Sequence, residues 1–277
     1  MEKFSKWRDF KTGVHPFNTK TTFSTKDIFI GILFFPHKTF LILFSLVSLL
    51  LLQFVPIPFI QKFFMKVILF CCGIFSVETK DKTKTKSTND NKQTIILSNH
   101  QSFIDIIIHQ LTFNPTFVFP LEEKEDSEDV VVLSFFEALK RSIFNIPFDK
   151  KKTMKLSDVK NEVIVYFVEG TTANGKIALK PRMKPLENVS KETEMKLCSL
   201  KYQEGINVYY DQSGSLIKYV FGLISTTNCD VVMTIDNCED VTEEKLADFY
   251  RNTMKIATSS FNSADKVEFV QLALKKK

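Results

Sequence analysis

The sequence of 277 residues contains little glycine, tryptophan and histidine, with 8 Gly, 1 Trp and 4 His. So few glycines exclude a collagen-like chain. A content of 44% apolar and 25% charged residues excludes a disordered one. The net charge of +5 is small, and the basic residues are not interleaved with aromatic residues, so we expect no nucleic-acid binding. The composition indicates a globular chain long enough for one sizeable core, alone or with an appendage.

Cysteine is also scarce, and its number is odd. The cysteines are Cys71, Cys72, Cys198, Cys229 and Cys238. Their irregular spacing does not indicate a disulfide framework, and no pair has the spacing of metal ligands. We therefore expect reduced thiols in a chain that faces the cytosol, and no metal site. The pair Cys71-Cys72 is a candidate either for lipidation or for the core.

Phenylalanine is the residue in excess, and 11 of the 28 Phe lie in residues 28–75. The charged residues of this segment are Lys38, Lys62 and Lys66. Residues 39–55 carry no charge and would form a helix of roughly 25 Å, near the lower limit for a membrane span. Pro56 and Pro58 then interrupt the helix before a second apolar stretch over 59–75. This pattern predicts a membrane hairpin centred on the prolines, with a buried core helix as the alternative.

Both flanks of the apolar segment, residues 1–26 and 77–92, are net basic. The positive-inside rule places both on the cytosolic side, which a hairpin or an even number of crossings satisfies. We therefore expect a basic segment and membrane hairpin over 1–76 and a Lys/Thr-rich linker or loop over 77–93. The remaining residues, 94–277, would form the main domain.

Strand and helix patterns alternate after residue 93. The predicted strands are 94–99, 116–120, 143–148, 162–168 and 230–235, with 196–202 and 206–210 as a pair. The predicted helices are 103–111, 130–141, 215–224 and 243–257. Such alternation indicates an α/β domain in which helices flank a largely parallel or mixed sheet.

The first of these strands ends in the sequence NHQSFID, residues 99–105. Histidine has the near-neutral pKa that a general base needs, and a carboxylate partner can fix its tautomer. His100 and Asp105 can meet if His100 lies in or before the turn into the next helix. Alternatively, Ser102 and Asp105 form only a helix-capping box. For His109, one turn further on, we expect a packing or surface role.

A second motif, FVEGTTANGK, covers residues 167–176. Its glycines, threonines and asparagine favour a tight turn with free backbone amides after a strand. Such a turn can hold a phosphate, and Lys176 can add positive charge. By itself the motif is a weak indication, because turns of this composition are common.

Together, NHQSFID and FVEGTTANGK resemble the lysophospholipid acyltransferase superfamily, which includes the lysophosphatidic acid acyltransferases. The opening residues, MEKFSKWRDFKTGVHPF, are similar to the start of a yeast member. The resemblance implies that His100 is the catalytic base and that Asp105 orients it. Residues Glu169, Gly170 and Thr171 would help to hold the phosphorylated acyl acceptor, with Asn174, Gly175 and Lys176 completing this loop.

The chain departs from the family pattern at three places. Val168 and Thr172 stand where the third motif usually has Pro and Arg, and Lys150 stands where the second motif has Arg. The proline-valine pair of the fourth motif is missing. Lys150 can bind phosphate as a point charge but lacks the bidentate geometry of arginine.

The resemblance further implies acyl transfer from acyl-CoA, a co-substrate, to the sn-2 hydroxyl of lysophosphatidic acid in glycerolipid and triacylglycerol synthesis. It implies no tightly bound cofactor, no metal and no covalent acyl-enzyme. The expected location is the endoplasmic reticulum membrane, lipid droplets, or both, with the catalytic domain in the cytosol. The alternatives are an acyltransferase or transacylase for another lysophospholipid, and a non-catalytic lipid-binding adaptor.

Overall fold

The computed structural model describes residues 5–17, 25–54, 57–83, 92–121, 127–144, 152–190, 192–203, 208–209 and 215–274. Its helices are α1 (Thr25–Leu51), α2 (Pro58–Cys71), α3 (Phe103–Phe113), α4 (Phe135–Phe144), α5 (Leu216–Ser225), α6 (Glu243–Met254) and α7 (Ser263–Leu274). Its strands are β1 (Val77–Asp81), β2 (Thr94–Ser98), β3 (Thr116–Pro120), β4 (Asp129–Leu133), β5 (Thr153–Lys155), β6 (Val163–Phe167), β7 (Ile177–Ala178), β8 (Glu194–Tyr202), β9 (Val231–Asn237) and β10 (Ala257–Thr258).

Eight strands form one mixed sheet in the order β1-β9-β8-β2-β6-β3-β4-β5. The central strands β8, β2, β6 and β3 run parallel to one another, and β9, β4 and β5 add antiparallel pairings. This confirms the predicted α/β fold with helices around the sheet. Because β2 and β6 are parallel neighbours, the loops that follow them emerge at the same edge of the sheet. These are the loops that carry the two sequence motifs.

The prediction of a helix over 130–141 is wrong in its first part. Residues 129–133 form β4, antiparallel to β3, and α4 begins only at Phe135. Buried β-branched valines favour the sheet, and Ser134 then starts the helix by bonding the Glu137 side chain. The predicted strand 143–148 begins in the last turn of α4, and its residues 145–148 lie outside the described residues.

The predicted pairing of 196–202 with 206–210 is not observed. Strand β8 pairs with β2 and β9, and the described residues Val208 and Tyr209 are not in a strand.

The start of the predicted linker is also corrected. Residues 77–81 form β1, which pairs in parallel with β9 at the edge of the sheet. Their side chains are mostly exposed, so the backbone pairing rather than apolar burial makes this segment a strand. Residues 84–91 of the predicted linker lie outside the described residues.

The two apolar helices pack against each other as a hairpin, but they differ in burial. Ile28–Leu51 is long and apolar enough to cross a membrane, and only 11% of its apolar window is buried. Helix α2 has 14 residues, about 21 Å, and buries one face in the domain core. Cys71 and Cys72 lie on this buried side, which favours core packing over lipidation. Helix α1 is therefore joined to the α/β domain by α2, rather than separated from it at residue 76.

Residues 5–17 pack beside α7, whereas the predicted segment 1–76 groups them with α1 and α2. Trp7 and Phe17 pack against Phe261 and Phe269 beside α7, and both are buried. Asp9 accepts a hydrogen bond from Ser259 at 3.1 Å. This opening segment thus covers part of the α/β domain, because its aromatic rings gain burial there.

Candidate active site

His100 and Asp105 lie together in the turn between β2 and α3. His100 Nδ1 is 3.0 Å from Asp105 Oδ2, and both side chains are buried. The capping box forms too: Ser102 Oγ accepts from the Ile104 amide, and Asp105 accepts from the Ser102 amide at 2.8 Å. The two interpretations of Asp105 are therefore compatible, since one carboxylate caps the helix and holds the imidazole.

Asp105 is fixed by more than its own loop. Its Oδ2 also accepts a hydrogen bond from the Gln101 amide at 2.6 Å, and its Oδ1 accepts one from the Tyr202 hydroxyl on β8. Burial raises the pKa of Tyr202 well above its ordinary value, so this hydroxyl keeps its proton and remains a donor. A carboxylate that only accepts then requires the hydrogen of neutral His100 on Nδ1, which leaves the lone pair on Nε2.

The surroundings favour the neutral form of His100. Burial lowers the pKa of His100 below 6.5, and the positive charges of Lys266 and Arg141 act in the same direction. The bond and charge of Asp105 oppose this shift. An imidazole that stays unprotonated near neutral pH is the form that a general base needs.

His109 has the packing role that we expected. It is buried, stacks on Phe113, and lies 2.9 Å from Ser98 Oγ through its Nε2. Burial lowers its pKa to about 4.

The lone pair of His100 points at Ser142 on α4. Ser142 Oγ is 3.0 Å from His100 Nε2 and 2.9 Å from the Ala138 carbonyl oxygen, so its single hydrogen can serve only one of them at a time. A cavity of about 10 Å³, roughly the room for one water, lies here. It is lined by His100, Phe119, Arg141, Ser142, Gly170, Thr171 and Thr172. We call it the histidine cavity.

Glu169 holds the backbone rather than lining the histidine cavity. Its Oε2 accepts from the Leu179 amide at 3.0 Å, and its carboxyl also accepts from the backbone amide of His100. Burial raises the pKa of Glu169 to about 8. This geometry favours a positioning role for Glu169, which differs from the substrate contact that the resemblance implies.

Gly170, Thr171 and Thr172 follow as the wall of the histidine cavity. Gly170 has φ +70°, and a Cβ there would come within 3.0 Å of Pro120, so glycine is required. Thr172, at the position where the family usually has arginine, accepts hydrogen bonds from Lys266 Nζ through its carbonyl and hydroxyl oxygens, at 2.6 and 2.5 Å. Helix α7 thus supplies a buried positive charge beside the residue that replaces the arginine.

The end of the second motif faces elsewhere. Asn174 donates from its side chain to the His15 carbonyl at 2.7 Å and so holds the opening segment. Gly175 and Lys176 line a different cavity. Lys150 lies outside the described residues, so its predicted role remains a prediction.

Sequence reasoning did not identify Arg141, Ser142, Tyr202 or Lys266. Each reaches the site from a distant element, and nothing in the local pattern of α4, β8 or α7 marks it. For Lys266 alone the sequence holds an indirect indication. Thr172 stands where the third motif usually has arginine, so another residue would have to supply the positive charge.

Residues 75–203 match the family model described as Acyltransferase. This stretch is therefore similar to the acyltransferase family. A relative from Schizosaccharomyces pombe, named lysophosphatidic acid:oleoyl-CoA acyltransferase, is 27% identical over 216 residues, which is 70% of this chain and 70% of the relative. The residues matched by the family model include both sequence motifs, which form the His100–Asp105 turn and the loop that follows β6.

A solved structure is also similar. It is the 1-acyl-sn-glycerophosphate (LPA) acyltransferase PlsC from Thermotoga maritima, with 14% identity and a TM-score of 0.41, covering 83% of this chain and 94% of that one. Within the residues that the structure describes, no three His, Cys, Asp or Glu side chains group as a metal site would require.

Proposed function

We propose that the acyltransferase domain transfers an acyl group from acyl-CoA to the sn-2 hydroxyl of lysophosphatidic acid, giving phosphatidic acid for glycerolipid and triacylglycerol synthesis. The observation that carries the proposal is the pair His100–Asp105, with the Nε2 lone pair directed at Ser142 Oγ beside a cavity between α4 and the second motif. The S. pombe relative, named for the same acceptor and for oleoyl-CoA, supports the choice of substrates.

In the proposed reaction, His100 Nε2 removes the proton from the acceptor hydroxyl as the oxygen attacks the thioester carbonyl. Asp105 stabilises the imidazolium that forms. Negative charge on the tetrahedral intermediate is favoured by the nearby positive charges of Arg141 and Lys266. The intermediate then collapses, the C–S bond breaks, and the imidazolium proton passes to the CoA thiolate.

The position of Ser142 Oγ, 3.0 Å from Nε2, is the position that an acceptor hydroxyl must take to give up its proton. The phosphate of lysophosphatidic acid is only a few bonds from that hydroxyl. Arg141, Thr171 and Thr172 border the same cavity and are suited to bind it. Because the cavity admits only a water, part of its lining must move for the acceptor to enter.

The exposed apolar face of α1 supports a membrane location, where both lipid substrates are found. We propose the endoplasmic reticulum membrane, lipid droplets, or both. The basic flanks favour the cytosolic side for the catalytic domain. A hairpin without a domain on the far side is able to enter the monolayer of a droplet.

The substrates are tested with purified protein in detergent and a panel of lysophospholipids, each with and without acyl-CoA. We expect phosphatidic acid to form from lysophosphatidic acid only when acyl-CoA is present, with the new ester at sn-2. Lysophosphatidylcholine tests for another acceptor, and a phospholipid donor without acyl-CoA tests for a transacylase. Faster transfer in either of those reactions would contradict the proposal, and no transfer in any of them would favour the adaptor.

Ser142, His100 and Asp105 also form the hydrogen-bonded chain of a serine nucleophile, its base and its orienting carboxylate. If transfer is direct, Ser142→Ala keeps its activity to within about tenfold and forms no labelled protein, because the acceptor itself attacks. The check is incubation with radiolabelled acyl-CoA without acceptor, followed by denaturing electrophoresis. Hydroxylamine-sensitive label in the wild type that is lost in Ser142→Ala, together with loss of transfer, would replace direct transfer by an acyl-serine intermediate.

A further inference from the structure

A second and larger cavity lies beside the catalytic turn. Its volume is about 400 Å³, within the range of small-molecule sites. It is lined by Gln101, Gly175, Lys176, Lys201, Tyr202, Tyr209, Met254, Lys255 and Ile256. We call it the lysine cavity, and it shares no lining residue with the histidine cavity.

The charged side chains known to line the lysine cavity are positive. Lys176, Lys201 and Lys255 line it, and no carboxylate is among its described lining residues. Among the described residues, none of these three lysines forms an ion pair. They come from separate elements: the second motif, β8 and the end of α6. Folding therefore gathers three uncompensated positive charges at one opening, an arrangement that attracts a polyanion.

The remaining lining suits a planar, partly apolar group next to the charges. Tyr209 packs so closely on Gly175 that a Cβ there would lie 2.2 Å from its ring, while Met254 and Ile256 add apolar surface. Lys255 ends α6 with φ +64°, a conformation that residues other than glycine adopt rarely, and its side chain borders this cavity.

We propose that the lysine cavity binds the phosphorylated nucleotide end of acyl-CoA. This inference rests on the proposed function, in which acyl-CoA is the donor. The nucleotide end carries three phosphates and an adenine ring, which match three lysines beside an aromatic and apolar wall.

The phosphate of lysophosphatidic acid fits this cavity less well. It must stay within a few bonds of the hydroxyl at His100 Nε2, whereas neither His100 nor Ser142 lines the lysine cavity. The nucleotide of acyl-CoA is instead joined to the thioester by a long flexible linker, so it can bind at a distance from the thioester. Two lining residues connect the cavity to the catalytic pair: Gln101 follows His100 in the chain, and Tyr202 is hydrogen-bonded to Asp105. The cavity is therefore close enough for the linker of acyl-CoA to reach the catalytic pair.

The test measures binding without turnover. Purified full-length protein in detergent is titrated with CoA and with 3′-dephospho-CoA by calorimetry. The variants are Lys176→Ala/Lys255→Ala and a matched control, Lys160→Ala/Lys245→Ala, which removes two exposed lysines outside the cavity. We expect the cavity variant to bind CoA about tenfold or more weakly, and the control to bind it as the wild type does. The wild type should also prefer CoA to 3′-dephospho-CoA, and the cavity variant should lose most of that preference.

Steady-state kinetics distinguish the two possible sources of phosphate. The cavity variant should raise KM for acyl-CoA by more than it lowers kcat. Equal CoA affinity of the cavity variant and the control would overturn the assignment while leaving the proposed function intact. A rise in KM for lysophosphatidic acid in place of that for acyl-CoA would assign the cavity to the lipid phosphate and overturn the inference. Wild-type protein that binds no CoA at all would contradict the proposed donor as well.

Discussion

Replacing His100 by alanine should lower the rate of phosphatidic acid formation by about 10²–10⁴-fold, the usual contribution of a positioned general base. The reason is geometric: Nε2 is the free basic atom at the histidine cavity, and its orientation is fixed by Asp105, which Tyr202 and two backbone amides hold in turn. The measurement is the initial rate in membranes with lysophosphatidic acid and acyl-CoA, corrected for protein level by immunoblot.

The matched control is His37→Ala, which removes an exposed histidine of α1 and should leave the rate unchanged. Because His100 is buried, a thermal unfolding curve must accompany the rate. An Asp105→Asn variant adds a graded test, since it keeps the shape of the side chain but weakens the selection of the Nδ1 tautomer. A folded His100→Ala protein with wild-type activity would remove His100 from the mechanism.

The second large effect concerns membrane binding. Changing Phe29, Ile32 and Phe40 together to serine should release most of the protein from membranes. These side chains are 67–69% exposed in the described structure, so burying them in lipid stabilises the bound state by about 1.5–3 kcal/mol each. Losing about 5 kcal/mol corresponds to a roughly 5,000-fold weaker partition. Flotation of the protein with liposomes on a density gradient measures it.

The substitutions are confined to exposed positions because deleting the whole apolar segment would also open the core. Helix α2 contributes Met65, Ile68 and Leu69 to that core. A double variant, Phe10→Ser/Met154→Ser, removes exposed apolar side chains that lie outside α1 and should float like the wild type. If the triple α1 variant also floats like the wild type, α1 is not the membrane anchor.

What could be predicted from the sequence was what is local. His100 and Asp105 lie five residues apart in one turn, so a strand, a capping box and the side-chain chemistry were enough to bring them together. The apolar α1 and the strand-ending Gly170 were likewise visible in a few neighbouring residues. The fold class followed from the alternation of apolar strands and amphipathic helices.

What could not be predicted depends on distant partners. Tyr202 reaches Asp105 across 97 positions, and Lys266 reaches Thr172 across 94. Strand β1 has no alternating apolar pattern, because its place at the sheet edge is set by the backbone of β9. The place of the opening segment also could not be predicted from the sequence. The aromatic surface near α7 that covers Trp7 exists only in the folded domain.

The central claim is that neutral His100 acts as the general base of acyl transfer, and the pH dependence of kcat/KM tests it most directly. Burial lowers the pKa of His100, so activity should persist as the pH falls to 6.5 and disappear only at lower pH, where the imidazole becomes protonated. The account predicts a single acid limb with an apparent pKa below 6.5 in the wild type, absent from the residual activity of His100→Gln. A limb that is unchanged in His100→Gln would contradict it.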